Sequence, residues 1–402
     1  MSDPLSVLRE RGVRFLHPGS VWVADDVDPE RISPECTIHA GCRIRGARTW
    51  IGAGTEIGRE APVTLENSVL GPKAQVAGGT LRDTVLLDGA SLGSGTQCRE
   101  GTLLEEEANG AHTVGFKQTI LLPFVTTGSL INFCDVLMAG GTSRQDHSEV
   151  GSSYIHFNYT PWGKKGDKAT ASLIGDVPRG VLLDQPRIFL GGQGGLVGPR
   201  SIGFGSVLAA GFVYRRDYGE GQLVVGEAIT PQVRPFDRLG IGSVRRKVEA
   251  SLRYIGNLHA LKAWYDVVRQ GWAAGDAARA DLYQEARANV ASGIDARWKA
   301  LQGFAENLEE LKAAGGHAEH GLILALQSGV RSIADEIAGA EPGTPERFDA
   351  FQARLSEKLE KRGSTFIEWV QAFDPETKAA ATAWLESIVE RVEMIATQRL
   401  SG

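Results

Sequence analysis

A parallel β-helix followed by an α-helical bundle is the fold this sequence predicts, and three observations predict it. Glycine is abundant, 50 of 402 residues, or about 12% against a usual 7% or so. It is also uneven, with 37 glycines in residues 1–243 and 13 in residues 244–402. Aliphatic residues recur every six positions through the first part, as in Ile32, Ile38, Ile44 and again Ile51, Ile57, Val63, Val69. Beyond Gly240-Ile241-Gly242 the chain turns to Ala, Leu, Glu, Lys and Arg with wider apolar steps, a helical composition. The expected organisation is a hexapeptide-repeat domain, 1–243, and a helical domain, 244–402.

Leu70 and Val76 continue the six-residue step, which blurs to fives and sixes at Leu81, Leu86 and Leu92. It returns as Val150-Gly151, Ile174-Gly175, Leu190-Gly191, Val197-Gly198, Ile202-Gly203 and Leu208. An aliphatic residue followed by a small one at this period points into a triangular prism, and the small neighbour lets the chain turn without a Cβ clash. Three hexapeptides close one coil, so residues 32–213 hold on the order of ten coils. A β-sandwich has period two and no reason to place Ile-Gly or Val-Gly pairs six apart. In the second part, Val248, Leu252, Ile255, Leu258, Leu261, Trp264, Val268 and Trp272 form an amphipathic stripe. Thr344-Pro345-Glu346 and Asp374-Pro375-Glu376 each read as an N-cap, a first-turn proline and an early acid. Four to six helices are expected, capping the open end of the β-helix.

Composition narrows the function classes. Net charge is −6 and the pI near 5.8, which argues against nucleic acid or a polybasic membrane contact as partner. Four scattered cysteines (Cys36, Cys42, Cys98, Cys134) make neither a disulfide scaffold nor a C-x-x-C zinc pair. The opening MSDPLSVLRERG lacks an apolar core, and no apolar run approaches membrane-spanning length. A cytoplasmic protein is expected.

Leu8-Arg9-Glu10-Arg11-Gly12-Val13, then His17-Pro18-Gly19-Ser20-Val21, resembles the entry into the acetyltransferase half of a known family. That family is the bifunctional N-acetylglucosamine-1-phosphate uridyltransferase / glucosamine-1-phosphate acetyltransferases. Asn158-Tyr159 stands seven residues after Val150-Gly151, as the family's own Asn-Tyr does, and Ala209-Ala210-Gly211 follows its last coils. The likeness covers roughly residues 5–216. It implies that the β-helix is left-handed, that three chains assemble as a homotrimer, and that acetyl-CoA lies between neighbouring subunits. The helical bundle, which has no counterpart in that family, is expected to widen the trimer contact; a separate active domain is the alternative. Only about thirty residues stand upstream of the coils, so uridylyl transfer is not expected of this chain.

By the resemblance, Asn158 and Tyr159 line the acetyl-CoA site and Ala210 is a small residue whose backbone approaches it. Asn158 reads equally as a corner turn of a β-coil, and Ala210 as a plain corner residue. The family's base is a histidine about 23 residues before its Asn-Tyr, and ungapped counting lands on Asp135. A carboxylate serves as base only if burial raises its pKa. His147 and His156 are the nearest imidazoles and titrate closer to neutrality; a core or solvent-facing role is the alternative for each. The loop Thr160–Lys168 carries Lys164, Lys165 and Lys168, which suit the phosphates of CoA or a sugar nucleotide, or simply solvent. Where the family clamps a sugar phosphate, Gly110-Ala111-His112 is preceded by Glu105-Glu106-Glu107, which would repel an anion, and followed by Lys117 as a single point charge.

The expected activity is acyl transfer from acetyl-CoA to an amino sugar, sugar phosphate or sugar nucleotide. The alternative is a non-catalytic hexapeptide-repeat trimer that binds a sugar nucleotide or serves as a scaffold. A zinc site from His112, His147 and His156 lacks a close histidine pair, so no metal is expected.

Overall fold

The computed structural model describes residues 4–226, 229–309, 319–340, 342–363 and 365–401. Short strands from Arg14–Phe15 to Leu223–Val224 stack in parallel on the strand one coil away, and one ladder holds eleven of them. This is a parallel β-solenoid of about eleven coils, as the hexapeptide period predicts. The inward column of that ladder reads Phe15, Ile38, Ile57, Val76, Leu92, Gly110, Thr127, Val150, Leu190, Leu208 and Val224. Gly110 and Thr127 explain why the period fades in mid-sequence. On the next face the inward column carries Phe116 and Phe133, whose rings lie 6.5 Å apart. Large side chains there fill the volume that the small ones leave. The small residue after each aliphatic is required by close approach: a Cβ on Gly191 would collide with the backbone of Ala209 and Ala210 one coil on.

Strands Gly115–Leu121 and Asn132–Met138 run across two faces and bend at the edge between them. That edge is a column of left-handed residues: Asn67 (φ 47°), Asp83 (48°), Gly101 (75°), Gln118 (48°) and Asp135 (63°). Gly, Asn and Asp tolerate this backbone best.

Helices α1 (Pro4–Glu10) and α2 (Val177–Gly180) belong to the solenoid part. The helical part comprises α3 (Val244–Trp264), a π-turn at Tyr265–Arg269, α4 (Gln270–Ala273), α5 (Ala277–Asn307), α6 (His320–Gly339), α7 (Pro345–Glu360), α8 (Phe366–Gln371) and α9 (Pro375–Ser401). Helices α7 and α9 begin at the two expected prolines, and Asp374 caps α9 by accepting from the Thr377 amide at 2.8 Å. No helix among the described residues is long and apolar enough to cross a membrane.

These helices do not cap the solenoid's end, contrary to the sequence-based expectation; they lie along its flank. Residues of α5 at four-residue steps meet the edge column. Glu285 pairs with Arg31 and Arg48, Asn289 donates to the Asp83 and Thr102 carbonyls, Gly293 faces Gln118, and Arg297 pairs with Asp135. Four helical residues rise about 6 Å and one coil about 4.8 Å, so a slightly inclined helix follows the coils. Further along, Asn257 of α3 accepts from the Val177 amide at 2.9 Å, and Lys378 of α9 pairs with Asp184 at 3.1 Å.

The flank is keyed by Arg269, 1% exposed. Its guanidinium donates to Glu105 at 2.9 Å and to Glu106 at 2.5 and 2.9 Å, and lies against the rings of Phe366, Tyr265 and Tyr283 at 4.1, 4.8 and 5.0 Å. Tyr265 also donates to Glu105 at 2.6 Å. Glu105 and Glu106 therefore face Arg269 and the helices, not a ligand site, so they do not play the anion-repelling part expected of them. Burial pushes the Glu105 carboxyl up to about 7, against the pull of Arg269.

Arg269→Met should cost about 3–5 kcal/mol in urea unfolding, since it strands two buried carboxylates. Because the Glu105 pKa is raised on folding, its share of stability is present below pH 4.5 and lost as pH rises through about 7. Glu105→Gln should flatten that slope, and an unchanged slope would refute the assignment.

Candidate functional site

Asp135 owes its position to the edge column, where the left-handed corner aims its carboxylate outward beneath α5. The carboxylate is 7% exposed and meets Arg297 at 2.7 Å through Oδ1. Its Oδ2 accepts from the Asn158 amide at 3.1 Å. The buried Tyr254 of α3 lies in the same electrostatic neighbourhood, its hydroxyl held protonated by burial. Asp135 and Asn158, brought together by the resemblance, are thus in contact, and a third member comes from the helical part.

His156 sits inside the solenoid. It occupies the inward column between Phe133 and Leu196, while Ile155 and Phe157 point outward. Nδ1 lies 2.5 Å from the Cys134 carbonyl, which can only accept, so this nitrogen carries the proton. Nε2 then accepts from the Ser172 hydroxyl at 2.7 Å. Burial lowers its pKa to about 4, against the effect of the Cys134 carbonyl. His147 is elsewhere, on the loop after Met138, with Nδ1 2.8 Å from the Arg144 carbonyl and Nε2 3.8 Å from Glu149. His112 faces the Ser129 hydroxyl at 3.0 Å. Among the described residues no three His, Cys, Asp or Glu side chains converge to hold a metal.

Tyr159 is half exposed, with its ring over Gly166, where a Cβ would strike it. The lysine-bearing loop is fixed by α5: Asn307 accepts from the Lys164 amide at 3.1 Å and donates to the Trp162 and Gly166 carbonyls at 3.2 Å. A buried Lys247–Asp167 pair secures its far side. Lys168 is exposed beside it. Ala210 follows strand Val207–Leu208 and lies on the other edge of the face that ends at Asn158, with exposed Ile155, Phe157 and Phe212 on or beside that face. Within one subunit Ala210 and Asn158 are not brought together. Lys117, on the same face, pairs with Glu100 at 2.8 Å; burial pushes the Glu100 carboxyl up, but Lys117 and Arg82 outweigh it and hold it at about 2.

Sequence reasoning missed Arg297. It lies 162 positions from Asp135, on a helix whose charged residues read as a solvated face, and nothing local marks it.

His156 binds fewer protons folded than unfolded between pH 6.5 and 4. Its stability contribution is full above pH 6.5 and is lost as pH falls toward about 4, on the order of 3 kcal/mol. Urea unfolding at stepped pH should show this loss in the wild type and less of it in His156→Gln. Identical acid dependence in the two would contradict the buried placement.

No family model matches the chain. Curated relatives named "Bifunctional protein GlmU" do match its solenoid half. One from Thermus thermophilus is 31% identical over 216 residues, 54% of this chain and 42% of the relative. That of Pelobacter propionicus is 30% identical over 242 residues, 58% and 46%. That of Mycobacterium sp. KMS is 27% identical over 253 residues, 61% and 46%. The chain thus spans less than half the length of these relatives. Over about half of its own length it is homologous to proteins named GlmU, and its β-solenoid is the fold expected from that likeness.

Proposed function

We propose that this chain is an acyl-CoA-dependent transferase of the hexapeptide-repeat class. It works as a cytoplasmic homotrimer, with acetyl-CoA as donor and an amino sugar, sugar phosphate or sugar nucleotide as acceptor. The observation that carries this reading is the Asp135 cluster. Where the resemblance locates the base there is a buried carboxylate, touching the Asn of the Asn-Tyr pair and covered by an arginine. In the transfer, the acceptor nitrogen bonds to the thioester carbonyl carbon, the C–S bond breaks, CoA leaves as thiolate, and the nitrogen's proton passes to Asp135.

A carboxylate held by a guanidinium is a poor base, because the cation stabilises its charge. A phosphorylated acceptor competes for Arg297, whose planar fork suits phosphate oxygens. Asp135 then keeps Asn158 as its partner and is released from the cation. Arg297 in this way supplies the cation missing before Gly110. Tyr159 and Lys168 serve the donor side, and Ala210 of one subunit meets the Asn158 edge of its neighbour. Support for assembly comes from the outward column of the eleven-strand ladder, polar from Arg14 to Glu149 and then apolar at Phe189, Val207 and Leu223. Exposed apolar stripes of this kind mark contact surfaces.

One observation favours the second reading, a non-catalytic trimer that binds a sugar nucleotide or acts as a scaffold. Asp135 stands in an edge column whose other members explain it as a corner residue alone.

Light scattering should give three times 43.1 kDa, and Val207→Glu should lower it. Titration calorimetry should show acetyl-CoA binding that Asn158→Ala weakens by roughly three- to tenfold. Asp135→Asn should abolish turnover with donor affinity intact, and Arg297→Gln should raise KM for a phosphorylated acceptor more than it lowers kcat. A wild type that binds no acetyl-CoA and acylates no amino sugar would establish the second reading.

A further inference from the structure

Between the last coil and α3 the chain leaves the solenoid as an arm, residues 229–238, every one of them exposed. Of the described large apolar side chains, the four most exposed all lie on residues 223–236: Leu223, Val225, Val233 and Phe236. Val233, at 104%, is wholly in solvent, and Phe236 and Ile229 are 70% and 56% exposed. Such a concentration of apolar surface marks a contact surface.

The arm is tied to its own subunit at both ends. Just before it, Gly226 lies against the Phe212 ring, where a Cβ would approach to 3.0 Å. At its end the Arg238 carbonyl accepts from the Gly163 amide at 3.0 Å, and beyond it the Val244 amide donates to Glu319 at 2.6 Å. With both ends fixed, the apolar side chains between them still face away from the chain that carries them. Pro231 and Pro235 hold this stretch extended and remove two backbone donors, so it is unsuited to continuing the β-ladder. An extended proline-held chain has about three residues per turn, which puts Val233 and Phe236 on one side as a ridge. Little conformational freedom is left to lose when that ridge is covered.

The outward stripe Phe189, Val207 and Leu223, which supports assembly, runs directly into this segment: Leu223 is its last member and Val225 follows. The anchors of the arm lie instead at Phe212 and on the loop after Phe157. One chain thus carries two different apolar surfaces at the same end of the solenoid, the stripe and the ridge. Contact between different surfaces of identical chains passes from copy to copy until the ring closes.

We propose that the arm clasps a second copy of this chain, with Val233 and Phe236 packed on the neighbour's stripe of Phe189, Val207 and Leu223. The inference rests on the trimer reading above and adds the element that joins one subunit to the next. Through the Arg238–Gly163 bond the clasp is tied to the lysine loop beside Tyr159.

Light scattering of the full chain over a dilution series tests this, together with photo-cross-linking. Val233→Glu with Phe236→Glu should leave the far-ultraviolet spectrum unchanged, since both residues are exposed in the single chain. The doubly substituted trimer should dissociate at a protein concentration at least about tenfold higher than wild type, because assembly buries the new charges. Val233→Cys labelled with maleimide-benzophenone should give products of two and three chains on irradiation. The unsubstituted chain given the same label, and Val233→Cys combined with Val207→Glu, should not. A trimer indifferent to the two glutamates, or cross-links within one chain only, would overturn the clasp and leave the trimer standing. A wild type that is monomeric at every concentration would overturn both.

Discussion

One desolvated guanidinium ties the two halves of this molecule together. Glu105 and Glu106 are adjacent on one coil and fully buried, which water-free surroundings forbid unless a cation is present. Arg269 is equally buried and equally in need of them. Neither side can leave the other without stranding charge, so the cluster sets where the π-turn and the start of α5 must lie. From that point α5 follows the solenoid edge by its own geometry, and its four-residue step delivers Asn289, Gly293 and Arg297 to successive coils. The covering of Asp135 is thus a consequence of a contact made some distance away.

The sequence carried the fold on its surface where the chemistry was repetitive. Aliphatic-glycine pairs six apart survive because a coil-to-coil backbone approach excludes a Cβ, as at Gly191. The pattern vanished where volume was exchanged between faces, with Gly110 and Thr127 on one and Phe116 and Phe133 on the other. The corner role of Asp135 was visible in principle, since Asn67, Asp83, Gly101 and Gln118 precede it at one-coil spacings, but only once the coil length was known. The contacts of the helical part were not visible at all. Arg269, Arg279 and Arg297 look like the ordinary charged face of a helix, and their partners lie far away in sequence. Hence Glu105 and Glu106 read as repelling a ligand when they hold the helices.

Placement along the flank, rather than over the end, changes what the helices do for the chemistry. They close one edge of the solenoid, leave the face bearing Ile155, Phe157 and Phe212 open, and bring a cation to a carboxylate that the coils alone would present to water. They also fix the lysine loop through Asn307 and Lys247. Any ligand at Asp135 must deal with Arg297.

Hydrogen exchange on the intact chain tests most directly whether the two halves are one unit. The amides of strands Thr84–Leu86 and Thr102–Leu104 and of helices α3 and α5 should exchange together in the slowest class, and Arg269→Met should release all of them in concert. If α3 and α5 exchange fast and independently while those strands stay protected, the helical part is an appendage and the account of the covered edge is wrong.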